Sequence, residues 1–333
     1  MHTLLLLPAQ IDTAATLLRQ GECVAFPTET VYGLGANALD EHAVAKIFLA
    51  KGRPADNPLI IHCHNRSQLH DLVVGWPRDA EILMDTFWPG PLTLILYKKP
   101  DVPSIVTGGL DTVALRFPDH PVAISLLKTA DLPVAAPSAN VSGKPSPTRA
   151  EHVMEDMQGR IAAIVDGGPT VGGLESTVLD CTVSPFRILR PGGVTYEQIK
   201  ALVPVELDSG KSADSPRSPG IKYRHYSPDA QVVLVTGNKI EEEIQGQINH
   251  FQAMGLKVAL MAFSESPKYT GAHLLDMGSR ADVSVAAARM YHLLRQADAL
   301  GFDLILIEGL PDADLSRAIM NRLRKAASKV VQT

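Results

Sequence analysis

A two-domain α/β protein is what this sequence predicts, and three observations carry the prediction. Short β-branched runs alternate with stretches of helical period; the chain has 333 residues, enough for about two domains; and one polar stretch near residue 210 interrupts the alternation. Apolar residues make up 45% and charged residues 20%, which is ordinary globular composition and excludes disorder throughout.

The first strand signal is Cys23-Val24-Ala25-Phe26. A helix follows from Asp40 to Lys51, with Asp40 as its N-cap, Val44, Ile47 and Phe48 on its apolar stripe, and Pro54 beyond its end. Its last turn delivers Lys51 and Arg53 to a loop. Leu59-Ile60-Ile61, Leu92 to Tyr97 and Val113-Ala114-Leu115 read as further strands. Residues 207–229, rich in Ser, Pro and Gly and without apolar period, read as a linker between a first domain, 1–206, and a second, 230–333. In the second, strands at Val232–Val235, Val258–Met261 and Leu304–Ile307 alternate with helices at Ile240–Met254, closed by Gly255, and Val283–Leu300, closed by Gly301, before a final helix. That β-α-β rhythm predicts a small, mostly parallel three-layer domain.

The formal charge of −5 argues against a protein held to nucleic acid by bulk positive charge. Cys23, Cys63 and Cys181 stand far apart with no C-x-x-C pair, so neither a disulfide scaffold nor a cysteine zinc knuckle fits, and a reducing cytoplasm is the expected home. The apolar run Leu4 to Leu7 lacks a basic n-region and is too short for a signal peptide, and no stretch reaches the ~20 apolar residues of a membrane span.

Two phosphate-loop imitations are set aside. Gly33-Leu34-Gly35-Ala36-Asn37-Ala38 has the G-x-G-x-x-A form, but Arg53 stands about where a ribose-binding acid belongs. Ser209-Gly210-Lys211-Ser212 ends like a P-loop, yet Val205 occupies its first glycine position.

Four polar clusters at strand ends and turns remain, where an α/β sheet places its ligand crevice. The first is Pro27-Thr28-Glu29-Thr30-Val31-Tyr32-Gly33-Leu34-Gly35, hydroxyls and a carboxylate after a buried strand. In the second, Lys51 to His62, a point charge and a guanidinium fork precede a Pro-rich turn, a pair that suits a polyphosphate, although cations at a helix end also complement its dipole. In the third, Arg116 lies inside an apolar strand and needs either a partner carboxylate or an anionic ligand, while Ser138 and Asn140 alternate along an extended segment and face the same way. The fourth joins Glu175-Ser176-Thr177 to Arg190, which closes a strand before a glycine turn. His62 and His64 would share a strand face as two metal ligands, but no third ligand is placed, so a hydrogen-bonded pocket histidine is the favoured reading. The basic last helix, with Arg317, Arg322, Arg324, Lys325 and Lys329, reads as solvated charge complementing its dipole.

Together the clusters resemble the YrdC-like threonylcarbamoyl-AMP synthases. Lys51-x-Arg53 and Ser138-x-Asn140 are similar to that family's K-x-R and S-x-N signatures, and Pro27 to Leu34 to its opening motif. Ser218 to Pro228 is similar to the linker of the long, two-domain form. The resemblance implies an open, twisted sheet with flanking helices and a positively lined pocket, then a small Rossmann-like C-terminal domain whose linker, around Pro219 to Pro228, covers the pocket as a lid. It implies ATP contacts at Lys51, Arg53, Asn57, Thr112, Ser138, Asn140, Ser146, Arg190 and Tyr226, with Lys51 and Arg53 stabilising charge, and threonine contacts at Thr30, His62, Arg116, Ala136 and Ser176. It implies a nucleotidyltransfer from L-threonine, bicarbonate and ATP to threonylcarbamoyl-AMP, pyrophosphate and water, the first step of threonylcarbamoyladenosine formation in tRNA. Mg²⁺ would accompany ATP, with no metal ligands expected from protein side chains. A downstream threonylcarbamoyl-transferase would consume the product, with tRNA contact indirect or weak and no membrane involved. The competing reading is a non-catalytic RNA-binding module with a concave cationic surface, against which the net charge and the strand-borne Arg116 both count.

Overall fold

The computed structural model describes residues 2–208 and 226–333, so most of the linker reading, and with it the lid, lies outside the described residues. The chain divides into two units, Met1–Ser142 with Ser146–Tyr223, and Gly143–Pro145 with Arg224–Thr333.

In the first unit the sheet order is Leu4–Leu6, Ala163–Val165, Val24–Pro27, Tyr32–Asn37, Val134–Ala135, Ile60–His62, Thr112–Arg116, Leu92–Tyr97, Thr177–Asp180, Phe186–Arg190, Val205–Leu207. Both parallel and antiparallel pairs occur, so the sheet is mixed. Helices flank it. The helix at Glu41–Lys51 forms as its caps require: the Asp40 carboxylate accepts from the His42 and Ala43 amides, and Gly52, at φ 62°, ends the last turn in the left-handed region that glycine enters without strain. Its Val44 and Ile47 pack with Leu83, Leu94 and Leu115 in one core cluster. Helices Ile11–Arg19 and Pro121–Ala130 supply Leu18, Leu126 and Leu127 to a second, with Phe26 and Val134. A third, small cluster joins Ile60, Ile95, Ala114 and Val178 from four neighbouring strands.

The registers fix what stands on that third face. Ile60 pairs with Ala114 and His62 with Arg116, and side chains alternate, so Ile60, His62, Thr112, Ala114 and Arg116 project to one side of the sheet. The floor is apolar and its ends are polar.

The second unit carries a five-stranded sheet in the order His273–Asp276, Val258–Ala262, Leu304–Glu308, Gln231–Thr236, Lys329–Gln332, parallel throughout. Helices at Ile240–Ala253, Val283–Ala299 and Asp314–Ala326 connect the strands, which gives the small parallel domain that the alternation predicts and the Rossmann-like form that the resemblance implies. The reading of the last helix fails at two positions: Lys329 lies beyond it, in the edge strand, and Arg322 is not solvated. Arg322 is fully buried, with its guanidinium carbon 5.7 Å from the ring centre of Tyr226, whose ring lies 5.4 Å from Tyr291. Among the described residues no helix is long and apolar enough to cross a membrane.

Candidate functional site

Lys51, at the end of its helix, is 2% exposed. Its ammonium donates to the Ser138 and Asn140 carbonyls, both at 2.5 Å, and the Ser142 amide returns a bond to the Lys51 carbonyl at 2.8 Å. Two signatures 87 and 89 residues apart are thereby one structure. The expectation that Ser138 and Asn140 face the same way holds: the Ser138 hydroxyl donates to Asn140 Oδ1 at 2.5 Å. Arg53 braces the Pro-rich turn, donating from Nε to the Asn57 carbonyl at 3.3 Å and from Nη2 to the Pro58 carbonyl at 3.0 Å. Asn57 is buried, and among the described residues its side-chain oxygen has no hydrogen-bond partner.

Arg116 closes its strand and is 4% exposed. Its Nη2 donates to Glu29 Oε1 at 2.6 Å and its Nε to the Gly90 carbonyl at 3.3 Å; among the described residues nothing accepts from Nη1. The sequence leaves open whether Arg116 meets a carboxylate of the protein or of a ligand, and the structure supplies Glu29. In the sheet order, Arg116's strand lies three positions from the Tyr32–Asn37 strand that the Glu29 turn leads into. The Glu29 turn and the long Arg116 side chain bridge that interval, and the two groups meet at 2.6 Å.

His62 lies beside Arg116 in register, edge-on to Phe26 at 6.4 Å, with Nδ1 3.2 Å from the Ile60 carbonyl. Burial first, and the Arg116 charge second, lower its pKa to about 3, so the ring is neutral near pH 7. An unfolded His62 titrates near 6.5, so the unfolded chain binds the extra proton between about pH 3 and 6.5 and stability rises with pH across that window. Urea midpoints measured from pH 4 to 8 are expected to climb toward neutrality, and a His62→Gln variant to show a shallower climb. The paired-ligand idea for His62 and His64 is corrected: the strand ends at His62, and His64 Nε2 lies 3.1 Å from Asp131 Oδ1. Among the described residues no group of three or more His, Cys, Asp and Glu side chains is placed to hold a metal ion.

Thr30 shares a 2.8 Å hydroxyl contact with Thr28 in the turn that carries Glu29. Ser176 is fully buried; its hydroxyl lies 2.7 Å from Thr93 Oγ1, and Arg190 donates to its carbonyl at 3.0 Å and to its hydroxyl at 3.2 Å. Ser146, 1% exposed, donates to Glu175 Oε1 at 2.6 Å. The Tyr32 backbone joins these groups, since its amide donates to the Pro147 carbonyl at 2.9 Å and its carbonyl accepts from the Ala139 amide at 2.8 Å. Ala136 donates its amide to the Ile60 carbonyl at 2.9 Å. Thr112 opens the strand that Arg116 closes, so it stands on the same face about 13 Å away at ~3.3 Å per residue. Tyr226 belongs to the second unit, buried with φ at 65°.

Three residues of this network have no role in the sequence reading: Glu29, Glu175 and Thr93. Glu29 is the lone carboxylate among the hydroxyls of its motif, Glu175 adjoins Ser176, and Thr93 is the one polar side chain in the run Leu92 to Ile95. Those are the signals that would have found them.

A mixed α/β sheet whose strand and helix ends carry a buried lysine, two buried arginines and several buried hydroxyls has the groups of an anion-binding α/β protein. The family model Sua5-YciO-YrdC, described as telomere recombination, matches residues 16–192, and a second, described as threonylcarbamoyl-AMP synthase, C-terminal domain, matches residues 194–328. The chain belongs to the Sua5-YciO-YrdC family. It is 52% identical over 323 residues to the threonylcarbamoyl-AMP synthase of Bacillus subtilis, covering 96% of this chain and 93% of that one. It is also similar to the crystal structure of Pyrococcus abyssi Sua5 complexed with L-threonine, with TM-score 0.94, 46% identity and all of both chains covered. The threonylcarbamoyl-AMP synthase of Pseudomonas putida is 33% identical over 183 residues, 55% of this chain and 97% of that protein.

Proposed function

We infer that this chain is a threonylcarbamoyl-AMP synthase, converting L-threonine, bicarbonate and ATP to threonylcarbamoyl-AMP, pyrophosphate and water. The observation that carries the reading is the buried Lys51 socket, suited to phosphate, that ties two distant signatures together, in a chain that also buries a strand-end guanidinium suited to an amino-acid carboxylate. Identity of about half to named synthases over nearly the whole chain supports it.

Threonine sets its carboxylate against Arg116, oriented by Glu29, with the Ala136 backbone alongside. Its hydroxyl reaches Thr30, Ser176 or the neutral His62, buried groups that valine would leave unpaired; a site built this way rejects the analogue lacking the hydroxyl by up to about 10⁴-fold. The nucleotide lies toward Lys51, Arg53, Asn57, Ser138, Asn140, Ser146, Arg190 and Thr112. The threonine amine and bicarbonate form a carbamate with loss of water. A carbamate oxygen then attacks the α-phosphorus, the bond to the β-phosphate oxygen breaks, and pyrophosphate leaves. No protein nucleophile is needed; in-line positioning and stabilisation of charge suffice. Lys51, Arg53 and Arg190 stabilise the charge that moves onto pyrophosphate. Mg²⁺ would accompany ATP and supply further neutralisation of its phosphate charge.

The mixed anhydride is a labile acyl donor, so an acyl-transferring enzyme must take it to tRNA, and the net charge of −5 supports no strong grip on tRNA by this chain. A reducing, cytoplasmic setting suits Cys23, Cys63 and Cys181, all buried free thiols. Incubating the purified protein with threonine, bicarbonate and Mg-ATP, then weighing the products by mass spectrometry, tests the reading. Threonylcarbamoyl-AMP with one pyrophosphate per molecule is the expected result; AMP without a threonine-containing adenylate contradicts it.

A further inference from the structure

A serine hydroxyl has one hydrogen to give and two lone pairs that accept. At Ser146 the hydrogen is committed: the hydroxyl donates to Glu175 Oε1 at 2.6 Å, a length typical of O–H donation to a carboxylate, and both side chains are buried. The bond runs from the hydroxyl to the carboxyl oxygen. What Ser146 presents to a neighbour is therefore a lone pair, and a phosphate oxygen, itself an acceptor, is excluded from direct contact with it. Glu175 is fixed by its backbone as well as by this bond. A Cβ built on Gly192 would stand 2.4 Å from the Glu175 carbonyl oxygen, so the turn after Arg190 is pressed against the Glu175–Thr177 backbone and holds it in place.

Resting on the nucleotide reading above, we propose that Glu175 is a positioning residue that makes Ser146 an obligate acceptor, and that the ligand group facing Ser146 is a ribose hydroxyl. Triphosphate oxygens carry no hydrogen to donate, and the Lys51 ammonium and the guanidinium groups already suit them. Of the donors that ATP offers, the ribose hydroxyls are the ones adjoining the phosphates; the purine amine lies at the far end of the nucleotide. The pair Glu175–Ser146 would then select ribonucleotides over deoxyribonucleotides, a specificity that neither residue supplies alone.

The experiment measures kcat/KM with ATP, 2′-deoxyATP, 3′-deoxyATP and purine riboside triphosphate, which lacks the 6-amine, in the parent protein and in Ser146→Ala and Glu175→Gln. One deoxy analogue is expected to be about tenfold to a hundredfold poorer than ATP with the parent, the effect of leaving a buried acceptor unpaired. In Ser146→Ala that ratio should fall to within about threefold of one, because the acceptor is gone. In Glu175→Gln it should shrink too, because an amide can donate to Ser146 and turn its hydrogen outward. The threonine KM should move far less than the discrimination ratio, a split that a merely structural role would not give. A deoxy penalty that survives in Ser146→Ala, or a penalty that Ser146→Ala removes for purine riboside triphosphate instead, overturns the proposal. Failure of the parent to form any adenylate from ATP would instead overturn the nucleotide reading beneath it, and Ser146→Ala keeps the test open where Glu175→Gln does not fold.

Discussion

Replacing Arg116 with lysine is expected to raise the threonine KM about a hundredfold while the ATP KM stays within about threefold of its original value. The guanidinium is held at 2.6 Å on Glu29 and at 3.3 Å on the Gly90 carbonyl, and among the described residues Nη1 has no acceptor, which leaves it for a second carboxylate. Lysine keeps the charge but loses the fork, so it cannot hold Glu29 and threonine together. Charge-assisted hydrogen bonds contribute about 1.5–3 kcal/mol each, and losing one or two of them gives the hundredfold figure. Lysine is the informative substitution because removing one partner of a buried ion pair altogether costs about 3–5 kcal/mol of stability and confuses binding with folding. A companion Glu29→Gln variant, which leaves the fork but loosens its aim, should raise the threonine KM about tenfold by the same reckoning. Initial-rate kinetics with each substrate varied separately read both effects. An Arg116→Lys protein whose ATP KM rises as much as its threonine KM would mean that Arg116 does not distinguish the two substrates.

The second large effect belongs to Lys51. Lys51→Met should lower kcat by about 10²–10³, the usual consequence of removing one preorganised positive group from a developing anion. It should also lower the denaturant midpoint, because the ammonium ties the Ser138 and Asn140 carbonyls together in a buried socket. Lys51→Arg should not restore turnover: a planar fork does not fit where a compact ammonium takes two carbonyls at 2.5 Å. Single-turnover measurement of adenylate formation separates the chemical loss from any loss of ATP affinity. Full activity in Lys51→Met would remove Lys51 from the reaction and leave it a purely structural cross-link.

Local signals in the sequence were good guides wherever the determining contacts were themselves local. The helix at Glu41–Lys51 was legible to within a residue because Asp40 caps it and Gly52 and Pro54 end it. Leu92–Tyr97 was legible because it is a run of β-forming residues long enough to stand out. The strand Tyr32–Asn37 was not, because its two glycines imitate a phosphate loop. Gly35 is there for packing: a Cβ would stand 2.7 Å from the Phe26 ring and 2.8 Å from Val134. The two-residue strand Val134–Ala135 and the edge strands Leu4–Leu6 and Lys329–Gln332 were also missed, since so few residues carry no period of their own and owe their conformation to distant partners.

The candidate site shows the same division. Residue types and spacing singled out Lys51, Arg53, Arg116, Ser138, Asn140 and Arg190, yet the carboxylate that meets Arg116 sits 87 positions away and the one that meets Ser146 sits 29 away. Pairing at that range is set by strand order and by the turns between strands, which no window along the chain reveals. Arg322 makes the same point in the second unit, where a residue that reads as helix-end surface charge lies fully buried against Tyr226.

One measurement reaches the centre of this account: a crystal structure of the protein with L-threonine and a non-hydrolysable ATP analogue bound together. The account predicts the threonine carboxylate on the Arg116 guanidinium, the threonine amine turned toward the α-phosphate, and the phosphates beside Lys51, all on the face that bears Ile60 and Ala114. Threonine and the α-phosphate bound on opposite sides of that sheet would contradict it.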